Sequence, residues 1–132
     1  MKNGIIEYSD GTKAWYKKDK LHREDGHAVE YSNGDKLWYK EGKLHREDGP
    51  AIQYVSGAKG WYKDGLRHRE DGPAIEHTNG DKFWYKEGKL HREDGPAVDY
   101  VNRTKHYYYN NEKIDCNSTE EFIKLVNLKV FW

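Results

Sequence analysis

The sequence has little of what usually holds a small domain together. Cys116 is its one cysteine, which excludes an intrachain disulfide framework and a clustered cysteine metal site. Aliphatic residues are scarce, since only 22 of the 132 residues are Leu, Ile, Val or Phe. No stretch is apolar enough to span a bilayer. The opening MKNGIIEYSDG carries no leader-like apolar segment, so the expected compartment is reducing and intracellular, the cytoplasm. Net charge is missing too: 23 basic residues balance 23 acidic ones. Phosphate attraction needs a basic field, and a general nucleic-acid binder is therefore disfavoured. No GxGxxG, GK[ST], HExxH or GxSxG sequence occurs, which removes the common dinucleotide, nucleotide, zinc-protease and serine-hydrolase signatures.

So few aliphatics would ordinarily point to disorder. Here 5 Trp and 11 Tyr replace them, and each ring buries roughly 150–250 Å². The aromatics are also periodic. The segment HREDGPAIQYVSGAKGWYKDGLR, residues 45–67, is followed in register by HREDGPAIEHTNGDKFWYKEGKL and HREDGPAVDYVNRTKHYYYNNEK. Trp15, Trp38, Trp61, Trp84 and Tyr107 are spaced 23 apart, as are His22, His45, His68 and His91. Such a period signals stacked supersecondary units. The tiles run over about 1–21, 22–44, 45–67, 68–90 and 91–113, and residues 114–132 leave the pattern.

Within a tile, Ala28–Tyr31 and Lys36–Tyr39 are short β-prone runs joined through Asn33-Gly34, which predicts a tight hairpin with positive φ values. Further reversals are expected at Lys40-Glu41-Gly42-Lys43 and at Asp25-Gly26. Strand alternation sends Trp38 to one face and Leu37 with Tyr39 to the other, and the aligned Trp side chains are expected to form the shared core. Beyond the array, Ser118 and Glu121 form a capping-box pattern that predicts a helix through about Asn127, with Phe122, Leu125 and Val126 on one face. That helix, continued by Val130-Phe131-Trp132, reads as a cap on the last apolar surface.

The charged tetrad is the candidate site. It comprises His22, Arg23, Glu24 and Asp25, with copies at His45, Arg46, Glu47 and Asp48, at His68, Arg69, Glu70 and Asp71, and at His91, Arg92, Glu93 and Asp94. Imidazole, guanidinium and carboxylates could hold a metal, activate water or grip phosphate. Catalysis, however, needs one non-equivalent constellation, whereas these copies are nearly identical. No catalytic, metal or cofactor site is assigned. A structural ladder is expected instead, with Arg of one tile paired to Glu or Asp of the next, and a protein-binding ridge as the functional alternative. Cys116 is expected to be an unreactive thiol. Were the Trp and Tyr rings exposed, Lys17, Lys40, Lys63 and Lys86 would flank a platform for sugars or bases.

The succession of WYK-x-G-K-L, a short charged stretch, Asp-Gly, a strand and Asn-Gly resembles the MORN repeat over residues 1–113, especially the variant arrays of bacterial, phage and large-virus proteins. The REDGP box departs from the ordinary MORN pattern and marks a divergent subgroup. The resemblance implies an all-β repeat array: an elongated, single-layer antiparallel sheet of about five hairpins, here with a short C-terminal helix as cap. It also implies a non-enzymatic protein-interaction role, of the inhibitor, antitoxin-like or phage host-interaction kind, placed in the host cytoplasm if phage-encoded. The expected partner is thus a protein, with a carbohydrate- or nucleic-acid-binding aromatic array as the alternative. Open sheet edges leave a homodimer as a further option.

Overall fold

The computed structural model describes residues 1–128, and the expectation for Val130-Phe131-Trp132 lies outside them. The fold is almost all-β, with antiparallel hairpins recurring at the 23-residue spacing and one helix, Thr119–Leu128, at the C-terminal end. The chain forms two compact units, residues 1–66 and 67–132.

In the first unit, strand Gly4–Glu7 pairs with Lys13–Lys17, followed by Val29–Glu30, Lys36–Leu37, Ile52–Gln53 and Lys59–Gly60. Two rows of side chains explain the register. Ala14, Val29, Leu37, Ile52 and Gly60 lie directly across from one another. One residue further along, Lys13, Glu30, Lys36, Gln53 and Lys59 make a row in which Glu30 faces lysine on both sides. A slip by one residue would turn the apolar row outward and bring polar groups against the core. The second unit repeats the device. Ile75, Phe83, Val98 and His106 form its inner row, and Glu76, Lys82, Asp99 and Lys105 alternate in sign beside it. Lys105 Nζ reaches Asp99 Oδ1 at 3.2 Å.

The core of the first unit is the Leu37 face. Ala14, Val29, Leu37 and Ile52 are buried there, flanked by Tyr16, Leu21, Tyr39, Leu44 and Tyr62. This corrects the expectation that the Trp stripe is the shared core: Trp15, Trp38, Trp61 and Trp84 are only partly buried, and the buried cluster excludes them. The fully buried residues on their face are small, since Ala28, Ala51, Ala74 and Ala97 have no exposure. Trp15 N–H donates to Ala28 O, Trp38 N–H to Ala51 O and Trp84 N–H to Ala97 O, each at 2.7 Å, so each of these tryptophans is bonded to the buried alanine of the next tile. A short Ala leaves room for the indole.

The two turns of each tile exchange the roles expected of them. At Asn33-Gly34, only the glycine has positive φ (+99°). Tyr31 N–H donates to Asp35 O at 2.9 Å and Gly34 N–H to Tyr31 O at 2.9 Å, so the loop has three residues with glycine in the left-handed closing position. Asn33 contributes through its side chain, with Oδ1 accepting Asp35 N–H at 2.9 Å. The two-residue turn with both φ values positive is Glu41-Gly42 (50° and 81°). It joins Tyr39–Lys40 to Lys43–Leu44. Lys18-Asp19 and Asn110-Asn111 adopt the same geometry in the first and last tiles.

The helix begins with one arm of its capping box formed and the other shifted by a residue. Ser118 Oγ accepts Glu121 N–H at 3.1 Å, and the Glu121 carboxylate accepts Asn117 N–H at 3.4 Å. Phe122 is fully buried against Tyr107, with ring centroids 5.0 Å apart, and Tyr107 Oη pairs with Thr119 Oγ1 at 2.9 Å. Ile114, Leu125 and Val126 complete this cluster. Replacing Phe122 with Ala should cost about 3–5 kcal/mol. Urea denaturation followed by helical circular dichroism and by tyrosine fluorescence checks this, with the helix signal melting first.

Candidate functional site

Each charged box lies between consecutive hairpins and is used up by them in a fixed way. The arginine folds back onto the preceding tryptophan: Cζ sits 4.1 Å from the Trp15 ring centroid for Arg23, 3.9 Å from Trp38 for Arg46 and 4.0 Å from Trp84 for Arg92. Its Nε donates to the aspartate two residues on, at 3.0–3.1 Å in all four copies. Its Nη1 donates to the carbonyl four residues on, which belongs to His27, Pro50, Pro73 or Pro96. This corrects the expected pairing of Arg with carboxylates of the next tile, because the aspartate partner is in the same loop. The guanidinium is pinned on its other side by the box glycine. A Cβ on Gly95 would lie 2.8 Å from Arg92 Cζ, and one on Gly26 would lie 3.2 Å from Arg23 Cζ. An added methyl would thus crowd the guanidinium, most at Gly95 and least at Gly26.

The histidine reaches forward. His22 Nδ1 accepts the N–H of Glu41, the first residue of the next two-residue turn, at 2.9 Å. His45 accepts from Asp64, His68 from Glu87 and His91 from Asn110, at 2.9–3.0 Å. On the other ring nitrogen, Nε2 of His22, His45 and His68 meets the box glutamate at 2.6, 2.7 and 2.8 Å. The His22 imidazole, with Lys40 and Lys17 further off, holds the Glu24 carboxyl below its ordinary range. The ends of the array substitute for missing boxes. Asn3 Oδ1 accepts Lys18 N–H at 2.8 Å where a histidine would stand, and Lys2 bonds Asp19 through both its backbone groups. At the far end, Asp115 stands where the arginine would be, and Phe122 covers Tyr107 instead.

With Arg and His turned inward, the carboxylates face out. The four box arginine side chains are 21–26% exposed, whereas the eight box carboxylates are 68–87% exposed. Two consecutive boxes bound a groove in each unit. In the first, a groove of about 620 Å³ is lined by Glu24, Asp25, Glu47, Asp48, Lys40 and Trp38 together with the two arginines. The second unit has the equivalent at about 600 Å³, with Glu70, Asp71, Glu93, Asp94, Lys86 and Trp84. Each is lined by four carboxylates and one lysine, and its guanidinia are held by hydrogen bonds to protein groups. The neutral total charge of the chain concealed this local excess.

Among the described residues, no group of three or more His, Cys, Asp or Glu is arranged to hold a metal ion, and no helix is long and apolar enough to cross a membrane. Burial, followed by the nearby Glu121, pushes the Cys116 thiol up. The opposite face carries tyrosines. Tyr8 Oη pairs with Tyr16 Oη at 2.9 Å, and Tyr31 and Tyr54 are exposed. Burial, then the neighbouring Tyr31, Tyr54 and Tyr62, raises the Tyr39 hydroxyl. A scan against protein-family models finds no match for the chain, and a search of curated proteins likewise finds none.

Two predictions follow from the clamp. Gly95→Ala should destabilise the fold by about 1–3 kcal/mol through the overpacked guanidinium, and Gly26→Ala by less, as compared by urea midpoints. The second concerns His27, which stands where other tiles have proline and packs edge-on to Trp15 and Trp38 at 5.7 and 5.5 Å. Burial, against the opposing pull of Glu30, lowers its pKa from 6.5. The unfolded chain therefore takes up this proton first, and stability is lost as pH falls from about 6.5 through the lower folded value. His27→Pro should remove that acid loss, seen as a shallower decline of Tm with falling pH.

Proposed function

We propose that this chain is a non-enzymatic protein-binding module that applies its inter-box grooves to a basic surface of another protein. The observation that carries the proposal is the recurrence of one groove in both units, with the same residue types at the same positions and the carboxylates directed outward. Equivalent weak contacts carried on one chain combine into a useful affinity when a partner engages several together. Charge on such rims steers association and selects partners more than it adds affinity per contact. The resemblance of the tiles to variant MORN repeats supports an interaction role of the inhibitor, antitoxin-like or phage host-interaction type, acting in a cytoplasm. Stacking of bases or sugars on the Trp stripe is disfavoured, because a guanidinium already covers Trp15, Trp38 and Trp84. The exposed Tyr31 and Tyr54 leave a glycan-binding face as the second reading.

Glu→Gln at 24, 47, 70 and 93 removes four rim charges while keeping an acceptor for the histidine. One substitution should weaken capture of the partner by a few-fold and all four by at least about tenfold. Affinity capture from native-cell or infected-host extract with both proteins, at low and physiological salt, checks this by mass spectrometry. A protein captured equally by both would sink the groove assignment, and retention of glycan alone would move it to the tyrosine face.

A further inference from the structure

In all four boxes the histidine side chain reaches from one tile to the backbone of the next, and the binding role of the grooves leaves this unexplained. The geometry dictates their state. A backbone N–H can only donate, so Nδ1 of His22, His45, His68 and His91 must be the unprotonated acceptor. The proton of the neutral ring then sits on Nε2, where the first three find their box glutamate. We propose that these four histidines form a pH-responsive coupling between tiles: neutral imidazole ties each box to the next two-residue turn, and protonation releases the turn while keeping the box intact.

The groups around each ring set the direction. A second proton on Nδ1 confronts the turn N–H donor to donor and breaks that link, whereas the Nε2–H bond to glutamate strengthens with the ring's charge. Around His22 stand Glu24 on its own loop, Lys17, Lys18 and Lys20 from the preceding hairpin and Glu41 on the turn. His68 faces Glu70 and the Glu87 turn. His91 faces Glu93 at 3.9 Å, Lys86 and the Tyr109 ring at 4.6 Å, and burial keeps it neutral to lower pH than an ordinary imidazole. His45 differs from the others. The Asp64 carboxylate lies 3.3 Å from its Nδ1, beside the backbone donor, with Glu47, Lys40 and Arg46 around it. A protonated Nδ1 can there donate to Asp64, so this one link is exchanged instead of lost. Imidazole is the group whose ordinary titration falls between about pH 5 and 8, well above the carboxylates that govern general acid unfolding.

The test is imidazole NMR on the unmodified chain. Long-range ¹H–¹⁵N spectra at about pH 8 should show all four rings as the Nε2–H tautomer with a hydrogen-bonded Nδ1. On acidification to about pH 5, hydrogen-exchange protection of the Glu41, Glu87 and Asn110 amides, corrected for intrinsic rate, should fall about tenfold with the midpoint of the matching ring, as one lost hydrogen bond implies. The Asp64 amide should fall less. The variant with all four histidines changed to Asn copies the natural Asn3 cap and should show no such step. An Nδ1–H tautomer, or turn amides indifferent to ring titration in the unmodified chain, would overturn the proposal even if that variant does not fold.

Discussion

The rest of the structure depends on one packing contact, the arginine guanidinium held between a tryptophan face and a glycine backbone. A chain with so few aliphatics cannot build a deep core, and its inner rows are a single residue wide in each strand. The guanidinium supplies the missing cover. It is planar, weakly hydrated and able to lie flat on an indole while its edge donates to an aspartate and a carbonyl. A cation–π contact of this kind is worth roughly 0.5–2 kcal/mol. Its greater effect is geometric: with two fixed side-chain donors and a ring beneath it, the arginine sets the path of the loop that connects one hairpin to the next.

The loop then assigns every other residue of its box. Asp two residues after Arg meets Nε, and at the glycine that follows a Cβ would crowd Cζ at 2.8–3.2 Å. Histidine precedes Arg on the opposite side of the chain and so points to the following turn. Glutamate anchors the imidazole from the solvent side. Four charged residue types in succession, suggestive of catalysis when read as a string, thus separate into an inward pair that builds the array and an outward pair that faces solvent. The groove chemistry is a by-product of that division, which explains why a chain of zero net charge presents acidic rims.

The ends show the same constraints solved with other residues. Asn3 provides the acceptor that a histidine provides elsewhere, and Phe122 provides the ring cover that arginine provides elsewhere. Both substitutes match the function of the residue they replace while abandoning its type. That is why the N-terminal cap was invisible to repeat alignment, in which Asn3 falls opposite Gly26. The C-terminal helix was legible because a capping box is a local pattern, but its target, Tyr107, became evident only from contact.

The sequence by itself determined the period, the hairpin count, the class of fold and the start of the helix. All of these rest on local rules: turn residues at fixed offsets, alternation along a strand, and a cap four residues long. Only the tertiary structure decided which face is the core, since alternation separates Leu37 from Trp38 without saying which of the two is covered. It also decided that Asn33 acts through its side chain while Glu41 takes the left-handed backbone, a choice set by the twist of the paired strands around each turn. The direction of Arg and His was likewise beyond the sequence, because their partners lie 8 and 19 residues away and no periodic rule distinguishes a backward reach from a forward one.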